Sequence, residues 1–381
     1  MRIILTIFFL LNGVFSPGQV KIRLFTDLRP ETIIFSVMSG KYVLDSFTGD
    51  PLHLVKGEPL IITRYNGRLA IKSRNKHGYV ADSVLLRGVT SDASFSLRTD
   101  GTASVRKFYT GDLECVADLN TILLVNSCDE EKYVAGVVIA EGGSGKNIEY
   151  FKTQAVLART YMYKYMNKHV NDGYNLCDDI HCQAYSGTCN DQLINKAVTE
   201  TRGMVVLGQD SMLIISAFHS NCGGETASSE DVWLTQAPYL KKVKDPYCTA
   251  ARNASWQKRY PAQDWISMIH RVSHSEIPVN ITDTRFSPAT RTADYKAGTV
   301  RIPFTSIRSD LNLRSAYFSV IPEGDDVILI GKGYGHGVGL CQEGAMVMAS
   351  KGFSFRQIIE FYYTGVIISD ISKAVPDTII K

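Results

Sequence analysis

Between residues 19 and about 110 the chain runs in short alternating apolar segments, such as Val20-Lys21-Ile22-Arg23-Leu24-Phe25, Thr32-Ile33-Ile34-Phe35-Ser36-Val37 and Leu60-Ile61-Ile62-Thr63. A period of two places alternate side chains on opposite faces of a strand, so one face is buried and the other is wet. Ser39-Gly40, Asn66-Gly67 and His77-Gly78 stand between such runs as turn signals, and this part of the chain is expected to be β-rich. The pattern then changes. From about Asn147 to His169, Ile148, Phe151, Ala155, Ala158, Met162 and Tyr165 recur at spacings of three and four, which predicts an amphipathic helix capped by Asn147. A shorter helix is expected from Asp191 to near Gly203, followed by a hairpin made of Met204 to Leu207, the turn Gly208 to Ser211 and the run Met212 to Phe218. Ser354 and Gln357 have the spacing of a capping box, opening a helix through Tyr362 that Gly365 stops. The fold class these patterns predict is α+β. A β-rich region over 19–106 packs on a mixed α/β domain over 107–381, whose long helix borders a cleft.

Composition narrows the function classes. The chain has 381 residues, 45% of them apolar, with 41 Lys and Arg against 38 Asp and Glu. That is too apolar for a disordered chain, and a net charge of +3 supplies no basic field for clamping nucleic acid. Met1-Arg2, the apolar stretch Ile3 to Leu11 and the small residues up to Gly18 read as a secretory signal peptide over 1–18. No later segment approaches the roughly 20 apolar residues of a membrane span. The expectation is therefore an exported, soluble mature chain. In that compartment an even cysteine count predicts disulfides, and eight are present. The sequence does not fix the pairing: Cys115 with Cys128 would tie two neighbouring strands, and Cys222 with Cys248 would close a loop of a few tens of residues.

Four segments, together with Arg159 of the long helix, can carry chemistry. Glu141 follows Val137-Val138-Ile139-Ala140, read as an apolar strand, and precedes the glycine-rich stretch Gly142 to Gly145. A lone carboxylate beside apolar neighbours can stay protonated near neutral pH and act as a general acid, while an exposed loop Glu would do nothing of the kind. Arg159 falls inside the apolar stripe of the long helix, so its charge needs a partner, either a structural one or a substrate anion. His219 and Ser220 are delivered together at a strand end, but adjacent strand residues face opposite ways and cannot act as a Ser-His pair. The segment from Gly331 through Gly333, Gly335-His336-Gly337 and Gly339 to Cys341-Gln342 alternates glycines around a histidine, which predicts close backbone approach to a ligand or another segment. Lastly, His169, Cys177, His181 and Cys182 could hold a tetrahedral zinc, with a Cys177 to Cys182 disulfide as the competing reading. A zinc peptidase is disfavoured, because no His-Glu-x-x-His helix supplies a base.

Taken in order, Lys107 to Gly111, Leu124-Val125-Asn126, Glu131 to Val138, Glu149 to Tyr161, His219 to Gly224, Tyr239-Leu240 with Asp245, and Gly335 to Gly339 resemble the stage II sporulation protein D family, which includes the amidase enhancers. The resemblance covers roughly residues 107 to 368. It implies a lytic transglycosylase acting on peptidoglycan glycan strands stripped of their peptides, with Glu141 as acid and then base and a 1,6-anhydromuramic end as product. No cofactor is required, and the His/Cys segment stays open between a structural zinc and a disulfide. Arg159 would bind a lactyl carboxylate or brace the Glu141 loop, and His219, Ser220, His336 and Gln342 would line the groove. Many relatives follow the glutamate with an apolar residue and a proline-containing stretch, whereas this chain has Gly142-Gly143-Ser144-Gly145-Lys146-Asn147. The alternative is a non-catalytic peptidoglycan-binding protein that enhances a cell-wall amidase.

Overall fold

A computed structural model of the chain describes residues 18–45, 51–73, 78–100, 104–233 and 235–375. The signal peptide read at 1–18 therefore lies, but for its last residue, outside the described residues. The chain forms two compact units: residues up to Gly136 with Met166–Thr188, and Val137–Tyr165 with Cys189–Lys381.

The first unit is β-rich, as its alternating runs require. A seven-stranded sheet takes the order Leu176–Cys177, Gln19–Leu24, Ile122–Asp129, Asp112–Ala117, Ser83–Gly88, Tyr42–Asp45, Leu52–Leu54. Its neighbours are antiparallel except for Gln19–Leu24 beside Leu176–Cys177, which is parallel. A six-stranded antiparallel sheet takes the order Arg106–Thr110, Ser94–Thr99, Thr32–Ser39, Leu60–Tyr65, Arg68–Ser73, Tyr79–Ala81. The buried faces meet through Tyr42 of the first sheet, whose ring centroid is 5.3 Å from that of Phe35 and 5.6 Å from that of Phe95. Aromatic edge-to-face contacts of this kind add to the area they bury. Each sheet takes strands from before residue 100 and from 106 onward, and the compact units part at 136, 165 and 188.

The helix Glu130–Gly142 begins in the first unit and ends in the second. This corrects the strand expected over Val137 to Ala140. Asp129 accepts from the Glu131 and Lys132 N–H groups at 2.9 and 3.1 Å, which starts a helix, and Glu130 and Glu131 favour its positive end. An uninterrupted apolar run has no period by which to tell strand from helix, and here the cap upstream decides.

In the second unit the long helix spans Ile148–Lys164, with the Asn147 side chain accepting from Glu149 N–H as expected. It stops short of His169. The helix Gln192–Glu200, capped by Asp191, and the strand Met204–Leu207 pack against it. The expected hairpin is reduced to one bridge, Leu207 to Leu213; the true ladder partner of Met204–Leu207 is the antiparallel strand Ile367–Asp370. The Ser354 capping box opens Phe355–Tyr362 as read from the sequence. A separate apolar body is built from the antiparallel strands Ser255–Pro261, Asp326–Lys332 and Phe318–Glu323 with the helix Ala262–Ser273, and Trp265, Phe304 and Phe318 lie in its core.

No disulfide is present: all eight cysteines are free and buried. Register explains the first correction. Cys115 stands opposite Leu124, so Cys128 lies four residues further along the same strand, about 13 Å at the usual strand rise and beyond disulfide reach. Cys222 and Cys248 do approach, their sulfurs 3.3 Å apart, but are not bonded to each other. Cys177 and Cys182 are likewise unbonded. No helix among the described residues is long and apolar enough to cross a membrane.

Candidate functional site

Glu141 occupies the last turn of Glu130–Gly142, half-buried, and Gly143 then takes a φ of 69° as the helix ends. Gln342 reaches this turn: its Nε2 donates to the Glu141 carbonyl oxygen at 3.1 Å. A helix leaves its last carbonyls without partners, and the amide of Gln342 satisfies one of them while fixing where the Glu141 residue sits. Beside it, Tyr150 and Gln154 of the long helix pack on Gly142, where an added Cβ would stand 3.4 Å from the Tyr150 ring. Both are buried, and neither the Tyr150 hydroxyl nor Gln154 Nε2 has a hydrogen-bond partner among the described residues. Burial, and next the Glu141 carboxylate, push the Tyr150 phenol up, so it remains a protonated donor.

Gln342 is held by the glycine-histidine segment. Leu340–Cys341 pairs in parallel with Phe218–His219, which delivers His219 and Ser220 from one strand and Gln342 from the other. Close approach was expected of this segment, and it is approach to another part of the chain. Gly335 has a φ of 108°, and a Cβ there would lie 2.8 Å from the His219 Cβ.

His219 and His336 face each other with ring centroids 5.5 Å apart. His219 Nδ1 donates to the Val338 carbonyl at 3.1 Å, leaving Nε2 buried with no partner among the described residues. His336 accepts at Nδ1 from Val338 N–H at 3.0 Å and donates from Nε2 to the Phe218 carbonyl at 2.9 Å. Both rings are neutral. Burial, then the neighbouring His336 and Arg291, hold His219 well below its usual range, and burial brings His336 down to about 4 against the opposing pull of the Phe218 carbonyl. Ser220 Oγ accepts from Asn253 Nδ2 at 3.2 Å, so it is not aligned with a histidine base. Arg159 is fully buried, donating to the Met204 carbonyl at 3.2 Å and to the Ala155 and Val198 carbonyls at 3.4 Å. The guanidinium thus ties the long helix to the helix and strand packed on it.

Several neighbours carry no local sequence signal. Arg291, 3% exposed, donates to the Cys222 carbonyl at 3.1 Å and the His336 carbonyl at 3.5 Å and lies over the Tyr317 ring. Its stretch of small polar residues has no period that would have singled it out. Glu343 accepts from Asn221 Nδ2 at 2.6 Å and from Asn253 Nδ2 at 2.7 Å. Trp233, one of the exposed aromatics, lies beside His336 with ring centroids 5.3 Å apart and the planes tilted by 47°.

In the first unit, His169, Cys177, His181 and Cys182 converge, with donor atoms all within 4.8 Å of one another. Cys182 Sγ is 3.7 Å from His169 Nε2, and Cys177 Sγ is 3.7 Å from His181 Nδ1. Asp172 meets the other nitrogen of the His169 ring at 3.1 Å, the arrangement that orients a metal-bound imidazole. The hydrogen bond from Cys177, with Lys168 close by, pulls the Cys182 thiol down to about 6. Two soft sulfurs and two imidazoles in a closed set fit a tetrahedral zinc.

A family model described as stage II sporulation protein matches residues 118–207, a span that includes Glu141, Arg159 and the His/Cys cluster. Among curated proteins, the chain is similar to an uncharacterized protein of Brachyspira hyodysenteriae, 29% identical over 328 residues, which cover 84% of this chain and 87% of that protein. It is similar to the stage II sporulation protein D of Bacillus subtilis, 31% identical over 257 residues, covering 63% of this chain and 74% of the relative. The amidase enhancer of Bacillus subtilis is 28% identical over 283 residues, 60% of this chain and 39% of the relative.

Proposed function

Because the chain belongs to the stage II sporulation protein D family, we propose that it works on the bacterial cell wall as an exported lytic transglycosylase, cutting peptide-stripped glycan strands with Glu141 as the catalytic residue. The observation that carries this reading is the seating of Glu141 at a helix end whose carbonyl is latched by Gln342. In the acid role the Glu141 carboxyl protonates the glycosidic oxygen between N-acetylmuramic acid and N-acetylglucosamine. In the base role its carboxylate takes the proton of the muramic C6 hydroxyl as that oxygen closes on C1, giving the 1,6-anhydro end. This route needs no second nucleophilic carboxylate, unlike the two-carboxylate hydrolases. Glu343, whose two oxygens are both held by asparagine amides, is suited to bracing Ser220 and Asn253. Neutral His219 and His336 order the groove wall, with Trp233 offering an apolar face to a sugar ring. Arg159 acts as a brace, from the core. His169, Cys177, His181 and Cys182 would hold a zinc that supplies structural crosslinking, since all four positions are filled by protein ligands.

The test is incubation of the protein and its Glu141→Gln variant with peptide-free glycan strands, with products read by mass spectrometry. Anhydromuramic ends from the parent and none from the variant support the reading. Strand binding without cleavage overturns it in favour of an amidase-enhancing binding protein, a reading that draws on the name amidase enhancer carried by the Bacillus subtilis relative.

A further inference from the structure

A second cluster of metal-ligating side chains lies in the second unit, apart from the His/Cys set. Cys222, Asp245, Cys248 and Cys341 are all buried, and their sulfurs and carboxylate oxygen lie within 4.8 Å of one another. Cys222 Sγ is 3.3 Å from Cys248 Sγ and 3.3 Å from Asp245 Oδ2. Three separate stretches bring them together: the turn after Phe218–His219, the loop holding Asp245 and Cys248, and the end of Leu340–Cys341.

Charge is the first argument. The Asp245 side chain is 0% exposed, and no Lys, Arg or His among the described residues forms an ion pair with it. It accepts from Tyr362 OH at 2.9 Å and Tyr247 N–H at 2.8 Å and meets the Cys222 thiol. A buried carboxylate without a cation is costly, and a dication at the cluster would supply the missing charge.

The sulfurs give a second argument. Backbone N–H groups are aimed at them: Cys222 N–H to Cys341 Sγ at 3.3 Å, Gly224 N–H to Cys248 Sγ at 3.3 Å, and Gly344 N–H to Cys341 Sγ at 3.4 Å. Donors so placed suit thiolates. A cysteine that merely fills apolar space needs none, and Cys115, equally buried, makes no side-chain hydrogen bond among the described residues.

Size is the third. A tetrahedral zinc with bonds of about 2.3 Å to sulfur has sulfur to sulfur edges of about 3.8 Å, between the 3.3 Å of the closest pair and the 4.8 Å limit of the set. A disulfide between Cys222 and Cys248 would instead leave Cys341 and Asp245 facing a site with no cation.

We propose that Cys222, Cys248, Cys341 and Asp245 form a structural zinc site, with three thiolates and one carboxylate oxygen. Binding releases the thiol protons to solvent, and the protein fills all four positions, so no water is activated there. The ion crosslinks three stretches that are far apart in sequence. Cys341 caps the helix Gln342–Ser350, so the zinc also fixes the start of the segment from which Gln342 reaches Glu141.

The test uses the full chain carrying His169→Ala and Cys182→Ser, which silences the other cluster, with and without Cys341→Ser. Zinc is counted by mass spectrometry after extensive dialysis, and the chain is reloaded with Co2+ to read the thiolate to cobalt charge-transfer absorption. One zinc per chain and the sulfur band are expected, both lost on adding Cys341→Ser. Should that variant fail to fold, the parent chain answers by thiol alkylation and peptide mapping: Cys222, Cys248 and Cys341 should become labelled together only when a chelator is added, while Cys115 stays protected. Labelling that ignores the chelator, absence of zinc and of the cobalt band in the parent background, or recovery of a Cys222 to Cys248 disulfide peptide would each overturn the proposal.

Discussion

Replacing Gly335 with alanine isolates what the glycine-histidine segment requires of the chain. Its φ of 108° is a conformation that costs an L-residue about 1–2 kcal/mol, and the new Cβ would lie 2.8 Å from the His219 Cβ, against the 3.5–4.0 Å of an ordinary carbon contact. His219 cannot step aside, since its backbone pairs with Cys341 and its ring is fixed to the Val338 carbonyl. Overpacking of this kind costs about 1–3 kcal/mol more. Gly352 is the control: its φ is 89°, and nothing lies within 4 Å of an added Cβ. Both substitutions share the positive-φ penalty and the loss of unfolded-state freedom, so their difference reports the contact alone. Gly335→Ala should therefore be the less stable by about 1–3 kcal/mol. The three tryptophans, Trp233, Trp256 and Trp265, all belong to the second unit, so urea unfolding followed by tryptophan fluorescence reads that unit without interference. Equal midpoints for the two variants would refute the claim that Gly335 is dictated by the approach of His219.

Gln342→Ala removes the donor to the Glu141 carbonyl, a bond of about 1 kcal/mol, and should lower kcat several-fold with KM little changed; an unaltered rate of anhydromuramic product would dismiss the latch. Arg159→Met strands backbone carbonyls in the core and should cost about 3 kcal/mol in urea unfolding, so an unchanged midpoint would show the guanidinium to be no brace. His336 is held near 4 when folded and has an ordinary pKa of about 6.5 when unfolded. The unfolded chain thus takes the proton first, and stability present above pH ~6.5 is lost as pH falls toward 4, by a few kcal/mol. His336→Gln, which keeps a donor and an acceptor, should flatten the thermal midpoint over that window, and a slope as steep as the parent's would point to other groups.

Elements with a local mark were legible in the sequence. Asn147 and Asp191 cap their helices as their side chains allow, Ser354 and Gln357 close a reciprocal box, and the alternating runs near 20, 33 and 61 became strands. Val137 to Ala140 misled because every residue there is apolar and no period survives, while the decisive Asp129 cap sits several residues upstream. Ladder partners were hidden for a different reason. Met204–Leu207 pairs with Ile367–Asp370, some 160 residues away, and nothing local to either strand encodes that choice. The site divides in the same way. Glu141 and the two histidines stand out by type and setting and Gln342 entered through the family resemblance, whereas Arg291 and Asp245 gain their meaning only from groups delivered by other segments.

The chain passes between its units at residues 136, 165 and 188, and this has a consequence for synthesis. Gln19–Leu24 leaves the ribosome well ahead of one of its two neighbours, Leu176–Cys177, which follows more than 150 residues later. By then Ile148–Lys164, the long helix of the other unit, has already emerged. That sheet must wait with one edge uncapped while a helix of its sibling appears ahead of its last strand. Neither unit can be finished in the order in which it is made, and a single proteolytic nick at any point would leave at least one of them in two pieces.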